Sequence, residues 1–98
     1  MEFKIPNEFT VGGQDIKVQL VNRIPYNVGE ACLSTGTIKI ALTNGSEEIN
    51  TESYNLNTFL HEVTHTILDT MGEKELSSNE KFVSTFSSFL TEAIRTMK

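Results

Sequence analysis

Residues 56–72, LNTFLHEVTHTILDTMG, organise the reading of the whole chain. Leu56, Phe59, Leu60, Val63, Ile67 and Met71 recur at spacings of three and four, the signature of a helix with one apolar face. Gly72 stands where a left-handed C-cap closes such a helix. Inside it, His61-Glu62-Val63-Thr64-His65 has the H-E-x-x-H form. Residues at i and i+4 share a helix side, so both imidazoles can present a nitrogen to one ion at about 2.0–2.1 Å. At about 100° per residue, the histidines fall on the flank of the apolar stripe, and Glu62 projects at another angle. That separation suits a division of labour in which His61 and His65 hold a zinc ion and Glu62 acts as general base on its water.

A catalytic zinc needs a third protein ligand. Asp69 lies one turn beyond His65, too far along a helix that rises about 1.5 Å per residue, and a supporting or surface role suits it better. The positions three and six residues after His65 are Leu68 and Met71, so a third ligand of the metzincin kind is absent. Glu80 is the better candidate, because it opens a second helix that a short connection folds back on the first. That helix is read from Ser77 as N-cap, with Phe82, Val83, Phe86, Phe89, Leu90, Ala93 and Met97 as its apolar face. Ser77-Ser78-Asn79-Glu80 also fits a capping box, in which Glu80 would bond the backbone of Ser77 and leave no ligand. Both uses of Glu80 stay open at this level.

Upstream, Phe3 to Val21 reads as extended chain. Phe9-Thr10-Val11 and Ile16-Lys17-Val18-Gln19-Leu20 flank Gly12-Gly13, a hairpin turn with one wet face. Asn22 to Ser34 looks irregular, residues 36–42 return to strand-like alternation as a third strand, and Thr43 to Thr51 has loop composition. The expectation is one α+β domain over residues 1–98. In it, a small sheet of about three strands from the first 42 residues packs on two antiparallel helices that hold zinc between them.

Composition narrows the partners. Eight Lys and Arg against 13 Asp and Glu leave a net charge of -5 with no basic stripe, which argues against nucleic acid and anionic membranes. The N-terminal MEFKIPNEF lacks a signal-peptide layout and no apolar run reaches bilayer length, so a soluble cytoplasmic protein is expected. Cys32, a lone cysteine near a strand, reads as a small buried hydrophobe; Phe82, Phe86 and Phe89 read as core; Tyr26 and Tyr54 read as packing or surface residues.

His61-Glu62-Val63-Thr64-His65 followed by Asn79-Glu80-Lys81-Phe82-Val83 resembles the gluzincins, zinc peptidases whose third ligand is a glutamate on a later helix. The likeness is to their small members: minigluzincins, ImmA/IrrE-type metallopeptidases and short phage-encoded proteins. It covers about residue 36 to the end. The resemblance implies a zincin-like fold, His61, His65 and Glu80 as zinc ligands, Glu62 as base, and Gly36 to Ala41 as the edge strand that pairs with an extended peptide substrate. It also makes a phage or bacterial regulator, such as a repressor, a conceivable substrate. The chain departs from thermolysin-like relatives at Ser84, where they carry an aspartate that orients a ligand histidine. It also has no third histidine to steady an oxyanion. Beside the peptidase reading stand a catalytically silent, zinc-stabilised binding module that uses its edge strand, and a metal-free protein in which Glu80 only caps.

Overall fold

Two glycines begin the sheet. In a computed structural model, which describes residues 4–98, Gly12 and Gly13 both take positive φ (58° and 84°) and join β1 (Glu8–Val11) to β2 (Gln14–Val21). Positive φ at both central residues gives the two-residue turn whose twist matches an antiparallel pair. The turn also sits against the first helix, because a Cβ on Gly12 would lie 2.6 Å from Thr70 Cγ2. Phe3, the first residue of the expected extended stretch, lies outside the described residues, as do Met1 and Glu2 of the segment read against a signal peptide.

The sheet has four strands rather than three. β3 (Gly29–Cys32) lies within the stretch expected to be irregular and runs antiparallel to β4 (Thr37–Ala41). Gly29-Glu30-Ala31-Cys32 has little strand propensity, and it is pairing with β4 that makes it a strand. β4 in turn pairs in parallel with β2, so the order is β1-β2-β4-β3 and the sheet is mixed. Residues 37–41 are therefore interior, and the rim next to the helices belongs to β3. This corrects the implied edge strand at Gly36 to Ala41.

α1 (Glu52–Met71) starts at Thr51, whose hydroxyl accepts the Tyr54 N–H, and stops at Gly72 with φ 80°. Its Leu56, Phe59 and Leu60 pack with Ile16, Ile38 and Ile40 of the sheet to form the core. Phe9 meets Phe59 edge-on at 5.8 Å. Ile67 and Met71, in the same periodic set, are 42% and 65% exposed, and Leu68 is buried in their place. Buried threonines on α1 do not strand their hydroxyls, because Thr58, Thr64 and Thr66 donate to the carbonyls of Tyr54, Leu60 and Glu62 one turn back.

A single turn, α2 (Lys74–Ser77), leads to α3 (Glu80–Thr96). Thr91 of α3 donates to Asn57 near the start of α1, while Glu80 at the start of α3 meets His61 and His65 farther along, so the helices run antiparallel. The expected apolar face of α3 divides. Val83, Ser87 and Thr91 are buried, and Leu90 and Ile94 pack on the core. Phe82, Phe86 and Phe89, expected in the core, are 36%, 48% and 67% exposed. The apolar arc is wider than one helix contact can cover, and the small Ser87 and Thr91 take the inner row. Among the described residues, no helix is long and apolar enough to cross a membrane.

Candidate metal centre and its cleft

The side of α1 turned towards α3 carries both histidines. Their rings stand 4.9 Å apart at 65°, with side chains 23% and 18% exposed. The Nε2 of His61 lies 3.3 Å from one carboxylate oxygen of Glu80, and the Nε2 of His65 lies 3.2 Å from the other. Donor atoms from these three residues all fall within 4.8 Å of one another. Neighbouring ligands of a tetrahedral zinc with bonds of 2.0–2.2 Å are about 3.3 Å apart, so the trio suits such an ion in donor type, and its two histidine–glutamate separations match that spacing.

Glu80 is available because the alternative capping box does not form. Asn79 is the N-cap of α3, its Oδ1 accepting the Phe82 N–H at 3.1 Å. Ser77 ends α2, and its Oγ lies 3.0 Å from His65 Nδ1. Freed from capping, the Glu80 carboxylate stays 67% exposed and turns to the histidines. Burial, with His65 as a second cause, pushes the His61 pKa below the usual histidine range, partly opposed by Glu80. A neutral imidazole is the state in which a ring nitrogen can ligate a metal.

Glu62 lies beside this group and is only 8% exposed. Burial, followed by the charges of Glu80 and Glu30, raises its pKa to about 7. It shares with His61 a cleft of about 240 Å³, bounded also by Val28, Gly29, Tyr54 and Asn57. A carboxyl tuned close to neutrality is suited to taking up and returning a proton. The four residues singled out by motif and topology, His61, Glu62, His65 and Glu80, are thus brought together.

Other residues stand differently. Cys32 is exposed rather than buried, because it faces outward from β3, and hydrogen bonds from Ser34 and then Thr35 lower its pKa to about 7. It is not part of the group that could hold a metal, and neither is Asp69. Tyr54 borders the cleft, whereas Tyr26 is fully exposed at φ 65° beside a neighbouring groove.

Three neighbours of the site escaped sequence reasoning: Gly29, Asn57 and the link from Ser77 to His65. Gly29 has no local signal, yet an added Cβ would meet Thr58 Cγ2 at 2.6 Å and Glu62 at 3.3 Å. Gly29→Ala is expected to cost about 1–3 kcal/mol through overpacking and to displace Glu62. Adding Thr58→Ser, which removes the clashing methyl, should restore most of that loss in urea unfolding; no recovery would place the strain elsewhere. Comparison with protein-family models, curated proteins and solved structures gives no match.

Proposed function

We propose that this chain is a zinc-dependent peptidase of zincin-like design, with His61, His65 and Glu80 as ligands and Glu62 as general base. The observation that carries the reading is the meeting of two imidazoles and a carboxylate at ligand spacing, beside a buried glutamate that opens onto a cleft. Zinc, when bound, supplies Lewis acidity towards a carbonyl and a water at neutral pH. Glu62 takes the proton of the attacking water and returns it to the leaving amine nitrogen, which its near-neutral pKa favours. His61 and Glu80 hold the ion from opposite helices, so the packing of α3 on α1 sets the geometry.

The substrate class is a peptide in extended form. β3 is a rim strand whose Gly29 borders the cleft, and a rim strand offers backbone donors and acceptors to an added strand. The missing side chain at Gly29 lets β3 lie close against Thr58 and Glu62. A reducing cytoplasm is the compartment we assign, and a bacterial or phage regulator is a substrate to test.

Metal removal tests the proposal. The purified chain is expected to bind one zinc, to cleave members of an unstructured peptide library, to lose that activity on dialysis against a chelator, and to regain it with zinc. Its melting temperature should rise with zinc, since a ligand at 1,000 times its Kd adds about 4 kcal/mol to stability. Cleavage that survives chelation, or a chain that takes up no zinc, overturns the reading.

A further inference from the structure

Ser77 has the position of a helix cap in the sequence and a different use in the fold. The residue is only 7% exposed, and among the described residues its hydroxyl has one partner, the Nδ1 of His65 at 3.0 Å. The backbone around it is held. Ser77 N–H donates to the Glu73 carbonyl at 3.0 Å, and Glu73 N–H donates to the Leu68 carbonyl at 2.8 Å, tying α2 to the end of α1. The hydroxyl is therefore fixed relative to the helix that carries His65. Among the described residues, His61 has no comparable partner at its Nδ1.

We infer that Ser77 is the positioning residue of His65, setting its ring rotation and tautomer for ligation through Nε2. The inference rests on the zinc-site reading above. A neutral imidazole that ligates through Nε2 carries its proton on Nδ1, and that N–H needs an acceptor to hold the ring. Ser77 Oγ is the acceptor within reach. A hydroxyl can also donate, so without metal it can meet an unprotonated Nδ1 while Nε2–H faces Glu80. An aspartate, the more usual kind of partner, could only accept. α2 thereby performs two tasks: it turns the chain from α1 to α3, and it places this hydroxyl behind the second histidine.

The test compares zinc affinity, by competition with a coloured chelator, in wild type, Ser77→Ala and Ser87→Ala. Ser87 is the control, a 1% exposed serine on α3 whose hydroxyl donates to the Ser84 carbonyl rather than to a histidine. Ser77→Ala is expected to weaken zinc binding about 10–100-fold, the usual effect of losing a supporting hydrogen bond, and Ser87→Ala to leave it within about twofold. Equal losses in both variants, or none in Ser77→Ala, overturn the role of Ser77 and leave the metal site standing. A wild-type chain that binds no zinc overturns the site and the role together. A measurement on unmodified protein covers the case in which Ser77→Ala does not fold. In zinc-loaded wild type, the His65 Nδ1 proton should exchange slowly enough for NMR and show a hydrogen-bonded shift, unlike that of His61. Equally rapid exchange at both rings contradicts the inference.

Discussion

Glu62→Gln is expected to lower peptide cleavage by roughly 10²–10⁴-fold, the contribution of a positioned general base, with zinc content unchanged at one per chain. The amide keeps the shape of the side chain, which is only 8% exposed, so packing is conserved while the proton acceptor is removed. Assaying cleavage beside metal analysis separates this from a lost ion. Unchanged cleavage would remove the catalytic role of Glu62, and an unchanged biological effect without cleavage would favour a binding module instead.

The same variant has a second, independent signature in the metal-free chain. The folded pKa of Glu62 is raised from 4.5 to about 7, first by burial. A carboxyl that binds its proton more tightly when folded contributes stability below about pH 4.5, and that stability fades as pH rises through about 7. The uncharged glutamine is insensitive to this window. Glu62→Gln should therefore match wild type near pH 4 and exceed it at pH 8 by on the order of 3 kcal/mol, read as roughly 10–20 °C in melting temperature for a domain of this size. Thermal melts in chelator at the two pH values check it. A difference that did not change with pH would show that the carboxyl is not desolvated in the folded chain.

Glu80→Ala is expected to reduce zinc affinity by more than about 100-fold, beyond the usual loss for a supporting residue, because it removes one of three ligands. Stability without metal should change little. Asn79 caps α3, and Glu80 adds the interaction of an acid with a helix N-terminus, about 0.3–1 kcal/mol, and solvent-exposed contacts with His61 and His65. Asn79→Ala should show the converse, a loss of about 1 kcal/mol in the metal-free chain. Chelator competition and urea unfolding of both variants resolve the two uses of Glu80 open to the sequence. A Glu80→Ala chain that unfolds easily yet binds zinc normally would return Glu80 to a capping role.

Legibility followed the range of the interaction. The Gly72 end of α1, the Gly12-Gly13 turn and the side shared by His61 and His65 rest on neighbours within a turn or a hairpin. Glu80 was reachable only through topology, since it stands 15 positions after His65. For Phe82, Phe86 and Phe89, periodicity defined an apolar arc without saying which part the partner helix covers. The outward face of Cys32 was not legible, because Gly29–Cys32 becomes a strand only by pairing with β4.

By itself the sequence determined an α+β chain, a helix with two histidines one turn apart, and a glutamate between them. These follow from 3.6-residue and two-residue periodicities that any short segment displays. Tertiary structure alone decided that β4 lies inside the sheet and β3 at its rim, that Glu80 faces the histidines while Asn79 caps, and that Ser77 holds His65. Each of those outcomes depends on which segments pack together. A hydroxyl or carboxylate with two possible partners is assigned only when the fold brings one of them within reach.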